Sequence, residues 1–192
     1  MSNLMIIIAS TRPGRVGLPV GEWFADRARG HGAFDVTVAD LAEWNLPFLD
    51  EPNHPRLQEY VHEHTVRWSE AVEACDAFAF VMPEYNHGIN APLKNAIDYL
   101  HNEWAHKPVG FVSYGGVAAG TRAVQMTKQI VISLRMLPIN DAVTIPFVKT
   151  MIGDDGAFHP SETVEDSVRP MLDELASVAV AMRSVRAPAQ PA

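Results

Sequence analysis

The sequence predicts an α/β domain on a doubly wound five-stranded parallel sheet in the order 2-1-3-4-5. Three observations predict it. Short apolar runs alternate with longer amphipathic ones along 192 residues, the pattern of strands joined by crossover helices. The first run, Leu4 to Ala9, is apolar without alternation, as in a strand covered on both faces. Polar, glycine-bearing turns follow the apolar runs, and in such sheets a ligand sits outside the carboxyl ends of the strands.

Each element has its own signal. Strands are expected over 4–9, 34–40, 77–82, 108–114 and 141–148, all short apolar runs bounded by polar or breaker residues. Helices are expected over 17–29, 56–75, 91–103, 119–136 and 161–184. The second has Leu57, Tyr60, Val61, Trp68, Ala71, Val72 and Cys75 near a 3.6-residue period. The last carries Val164, Val168, Met171, Leu172, Leu175, Val178 and Met182 on one stripe, with Ser161 as N-cap. Gly30 and Gly32 end the first helix. One domain over 1–186 is expected, with a frayed Pro/Ala-rich tail over 187–192.

Composition narrows the function classes. Hydrophobic residues are 47% of the chain, enough for a sizeable core. Net charge is −8 and no Lys/Arg block occurs, so neither nucleic acid nor an anionic membrane is an expected partner. No apolar run reaches the roughly 18 residues of a membrane span, and the N-terminus lacks a basic n-region. The one cysteine, Cys75, excludes an internal disulfide. A cytoplasmic protein is the expectation.

Three turns carry the chemistry. The first, ASTRPGRVG (9–17), follows the first strand and opens a helix, whose N-terminal amides and dipole suit a phosphate. Ser10 and Thr11 offer hydroxyls, Arg12 and Arg15 charge-assisted clamps, and Gly14 and Gly17 close approach. The pattern is neither G-x-G-x-x-G nor a P-loop. In the second turn, Pro83 stops the third strand, and the amides of Glu84 to Gly88 are expected to face outward towards a ring bearing N and C=O groups, with Tyr85 against a planar system. The third turn, SYGGVAAG (113–120), places Gly115 and Gly116 at the end of the fourth strand. Together they outline a groove with a phosphate cradle at one end and a flat slot at the other, the shape of a mononucleotide with a tricyclic ring.

These residues resemble the flavodoxin-like NAD(P)H-dependent FMN reductases, a family that includes quinone, azo-dye and chromate reductases. The resemblance rests on ASTRPGRVG, on PEYNHG leading to LKNAID, and on SYGGVAAGTRA, in matching order over roughly 4 to 145. It implies a flavodoxin-like fold, FMN as cofactor and NAD(P)H as co-substrate. It implies that Ser10, Arg12 and Arg15 hold the FMN phosphate with Val16 and Gly17. It also implies that Pro83, Glu84, Tyr85, Asn86, His87 and Gly88 wrap the ring, and that Ser113, Gly115 and Gly116 line its other border. Asn90 stands where the family commonly has Pro. The resemblance further implies small-molecule acceptors, ping-pong transfer and a homodimer or homotetramer. With the flavin carrying the hydride, no protein nucleophile is needed.

Other sites are weaker. HEH (62–64) has i, i+2 spacing, which on a helix does not share a face. His101 and His106 are five apart, and no G-x-S-x-G elbow occurs. Cys75, Tyr114 and Trp104 read as packing residues, and 154–160 as a surface turn. Two other classes stay open: a flavodoxin-type FMN electron carrier without NAD(P)H turnover, and a phosphate-binding protein without flavin.

Overall fold

A computed structural model describes residues 1–186; the tail expected over 187–192 lies outside the described residues. Strands β1 (Ser2–Ile8), β2 (Phe34–Asp40), β3 (Ala77–Pro83) and β4 (Pro108–Tyr114) run parallel in the order β2-β1-β3-β4. From Leu4 to Ala9 every residue of the first run is buried, as are all residues of β3 and β4, because helices cover both sheet faces.

The fifth position differs from the expected single strand over 141–148. It is filled by two pieces, β5 (Leu137–Pro138) and β6 (Val143–Ile145), each parallel to β4. Pro138 lacks the N–H a continuous ladder needs. Beyond it the chain swings out, and the amides of Asn140 and Asp141 donate to the Glu174 carboxylate at 3.1 and 2.7 Å. Pro146 then ends β6, so residues 146–148 leave the sheet.

Helices α1 (Gly17–His31) and α6 (Glu162–Arg186) cover one face; α3 (Glu63–Glu73), α4 (Ala91–Asp98) and α5 (Thr121–Ser133) cover the other. A short α2 (Leu41–Trp44), absent from the sequence expectation, is capped by Asp40, whose carboxylate accepts from Ala42 N–H at 3.0 Å. At the start of α6, Val164 N–H donates to Ser161 Oγ at 3.4 Å. Gly32, at φ 80°, ends α1; Gly30 lies within the helix.

The helix expected over 56–75 is shorter. Gln58 sits at φ 56°, and Glu51 accepts the amides of Val61 and His62, so the backbone there is committed to a loop. The helix expected over 91–103 stops at Asp98, and Trp104 folds back to donate its indole N–H to Ile97 O at 3.1 Å. His62 falls just outside α3, so His62 and His64 stack 5.2 Å apart beside Asp50 instead of facing opposite ways. Among the described residues, no helix is long and apolar enough to cross a membrane.

Register places the site. Ile8 pairs with Asp40 and Val81, Pro83 with Tyr114, and Tyr114 with Ile145. The carboxyl ends of β1, β3, β4 and β6 are therefore level, and their four turns leave from one edge.

Candidate active site

The turn between β1 and α1 bends at Arg12–Arg15, with Arg15 N–H donating to Arg12 O at 3.1 Å and Gly14 at φ 68°. Among the described residues, helix α1 begins without a capping side chain, and it has no acidic residue in its first turn. Its leading amides are thus donors without a side-chain acceptor, at the positive end of a four-turn dipole. Arg12 is exposed and makes no ion pair among the described residues.

Arg15 behaves differently. Its guanidinium reaches the Asp40 carboxylate through both terminal nitrogens, one at 2.5 Å, and donates to Ser10 O at 2.6 Å. Its charge is neutralised within the protein, and its side chain braces the turn. Ser10, 2% exposed, shares a hydrogen bond with the Tyr85 hydroxyl at 3.2 Å, which joins the first turn to the second.

Gly17 explains the tightness of the cradle. A Cβ there would stand 2.3 Å from the Tyr114 hydroxyl and 3.2 Å from Ser10 Cβ. Only glycine lets the helix start this close to β4. The Tyr114 hydroxyl is buried with no well-aligned hydrogen-bond partner among the described residues. Burial pushes its pKa above the usual tyrosine range, against the opposing pull of neighbouring Ser10.

In the second turn, Tyr85 and Gly88 exchange backbone hydrogen bonds at 2.9 and 3.2 Å around Asn86 and His87, both at positive φ. Glu84 N–H donates to Tyr114 O. The outward-facing amides expected from Glu84 to Gly88 therefore reduce to those of Asn86 and His87. The Glu84 carboxylate is held by Arg122 at the start of α5, accepting its backbone N–H at 3.2 Å and its Nε at 2.5 Å. Burial raises the Glu84 pKa, but the Arg122 contacts outweigh it and hold the net value low.

In the third turn, Gly115 N–H donates to Ile145 O. The Ser113 hydroxyl donates to Ala119 O at 2.8 Å and is fully buried. Ser113 thus shapes the turn from within. Asn90, also buried, donates Nδ2–H to Ala9 O at 2.6 Å and so ties the end of the second turn to the root of the first.

A cleft of about 430 Å³ joins these turns. Ser10, Arg12, Arg15 and Val16 line it from the first turn, Pro83, Glu84 and Tyr85 from the second, and Gly115 and Gly116 from the third. Gly17, Asn86, His87, Gly88 and Ser113 stand outside its lining. Sequence reasoning missed a fourth wall, Phe147 to Thr150, and took Tyr114 as packing although it also lines the cleft. The available signal was Pro146, which ends a strand at the same edge.

Exposed cation, uncapped helix start, hydroxyl and close-approach glycine all suit a phosphate monoester, and the glycine-bearing turns suit a flat ring beside it. Fold and site define a class: α/β proteins that seat a phosphorylated planar cofactor at the carboxyl edge of a parallel sheet. The model of the NADPH-dependent FMN reductases matches residues 2–150, and the chain belongs to that family. It is 35% identical over 153 residues to an NAD(P)H-dependent FMN reductase of Nectria sp, covering 77% of this chain and 76% of that one. It is 36% identical over 155 residues to one from Schizosaccharomyces pombe, covering 79% and 77%. The solved flavoenzyme NAD(P)H:(acceptor) oxidoreductase of Paracoccus denitrificans shares the fold at a TM-score of 0.76 and 18% identity, covering 95% of this chain and 99% of that one. The protein is an oxidoreductase with FMN as cofactor and NAD(P)H as co-substrate.

Proposed function

We propose that the cleft seats FMN with its phosphate in the β1–α1 turn and its ring between the second and third turns. In this reading the enzyme reduces quinones, azo compounds or free flavin at the expense of NAD(P)H, in ping-pong order. The observation that carries it is the meeting of exposed Arg12 with the uncapped start of α1 in one cleft. Bound FMN supplies a two-electron hydride acceptor and donor.

The chain's own residues bind and orient. Arg12 and Ser10 take phosphate oxygens, helped by the amides that open α1 at Gly17, while Arg15 fixes the turn through Asp40. Pro83, Glu84, Tyr85 and Gly88 border the ring, and the amides of Asn86, His87 and Gly116 offer donors to its polar edge. Ser113 holds the Gly115–Gly116 turn in shape. One flavin face shared by donor and acceptor favours their alternating occupation, which supports ping-pong order. Relatives named NADPH:quinone oxidoreductase in Arabidopsis thaliana and NADPH azoreductase in Bacillus sp support the acceptor classes. The family resemblance supports a homodimer, and the single cysteine fits a cytoplasmic setting.

The test is an initial-rate study of FMN-loaded protein, varying NADPH at several fixed quinone concentrations. Parallel double-reciprocal lines are the expected result. Intersecting lines would overturn the ping-pong order, and no NAD(P)H oxidation with any acceptor would leave an electron carrier. Light scattering reports the oligomer.

A further inference from the structure

We infer that Phe147 and Lys149 form the seat of the dinucleotide co-substrate, and that Lys149 selects NADPH over NADH through the extra ribose phosphate. The inference rests on the functional reading above and adds to it a site and a preference.

Phe147 sits at φ 47°, a conformation costly for a bulky residue. The backbone is fixed there: its N–H donates to Gly116 O at 3.1 Å, and its carbonyl accepts from the Thr150 N–H and hydroxyl, both at 2.9 Å. The side chain gains no burial in return, since Phe147 is 56% exposed at the cleft. Val148 alone anchors the segment in the core, with its N–H on Gly115 O at 3.2 Å. A strained, exposed aromatic rigidly mounted beside a cleft suits a flat heterocycle.

Charge points the same way. The cleft's ionic lining is Arg12, Arg15, Glu84 and Lys149. Arg15 is neutralised by Asp40 and Glu84 by Arg122. That leaves Arg12 and Lys149, both exposed and neither in an ion pair among the described residues, on a chain of net charge −8. Arg12 belongs to the turn after β1, and Lys149 to the segment after β6. Three strand spacings, about 14 Å, separate those roots. FMN has one phosphate, and the β1–α1 turn takes it. Lys149 is left for a second phosphorylated ligand, beside an aromatic wall for that ligand's ring. NADPH has both features, and its 2′-phosphate is the anion NADH lacks.

The probes are NADP⁺ and NAD⁺, titrated calorimetrically into FMN-loaded protein, with FMN affinity measured separately by fluorescence quenching. In Lys149→Gln the Kd for NADP⁺ is expected to rise about tenfold or more, the loss of one charge-assisted contact, with NAD⁺ changed less than about twofold. Phe147→Ala is expected to weaken both dinucleotides. Both variants should keep FMN affinity within about twofold of wild type. Equal binding of NADP⁺ by wild type and Lys149→Gln would overturn the inference, as would an FMN affinity that falls in step with it, which would assign the wall to the flavin. Wild-type protein that binds FMN but neither binds NADP⁺ nor is reduced by NADPH would overturn the functional reading and this inference together.

Discussion

Asp40, at the end of β2, grips the guanidinium of Arg15 with both carboxylate oxygens, while Arg15 also donates to the carbonyl of Ser10. The pair braces the first turn from the neighbouring strand. Their side chains are only 7% and 14% exposed, so removing the acid strands a charge in a poorly solvated place. Asp40→Ala also loses the cap of α2. We expect it to destabilise the protein by about 3 kcal/mol in urea unfolding and to weaken FMN binding. An unchanged midpoint would show that the pair is not a brace.

Arg12 stands in contrast, its side chain exposed and in no hydrogen bond or ion pair among the described residues. Arg12→Ala should leave stability within about 0.5 kcal/mol. FMN affinity should drop by about 1.5–3 kcal/mol, the worth of a hydrogen bond to a charged group. Riboflavin, lacking the phosphate, should bind wild type and variant alike. Equal losses for both flavins would move Arg12 away from the phosphate.

Gly17 and Tyr114 make a matched pair of tests. Gly17→Ala places a methyl group 2.3 Å from the Tyr114 hydroxyl and 3.2 Å from Cζ. The expected cost is about 1–3 kcal/mol. Tyr114→Phe deletes a buried hydroxyl with no well-aligned partner among the described residues, so its stability should equal or exceed wild type. The double variant should recover part of the loss, because the ring carbon still stands close. Strictly additive effects in a double-mutant cycle would contradict this geometry.

Glu103 supplies a pH dependence. It is fully buried, which raises its pKa, but hydrogen bonds from Ser69, Tyr60 and Gln58 outweigh that and leave it below the usual 4.5. A depressed folded pKa stabilises above the unfolded value and loses that stability as pH falls through the folded one. Acidification from about pH 4.5 downward should therefore destabilise the fold. In Glu103→Gln the acid slope should flatten, read from urea midpoints across that range. An identical slope in both proteins would assign the acid sensitivity elsewhere.

How much of this was legible in the sequence depended on what each residue's neighbours did. Leu4–Ala9 and Ala77–Met82 announce buried strands because apolar runs have few alternatives, and the sheet order follows from their alternation with helices. The turn motifs pointed to one edge, and register bears out that convergence. The pairing of Arg15 with Asp40, which leaves Arg12 the exposed cation of the turn, was invisible, since it depends on Asp40 arriving from the next strand. The helix expected over 56–75 failed for a similar reason: Glu51 claims the amides of Val61 and His62, and no local period reveals a distant acceptor. Phe147 was hidden at the end of a strand expected over 141–148 that Pro146 cuts short, and Lys149 lay just beyond it.

That interrupted border has a further effect. A long, flat outer strand invites a second molecule to extend the sheet. Here the rim offers only fragments of two and three residues, with a proline in one and a glutamate occupying the loose N–H groups between them. Strand-to-strand fusion of copies along that margin is disfavoured, which leaves the opposite border at β2, the helices and the loops as the surfaces for any assembly.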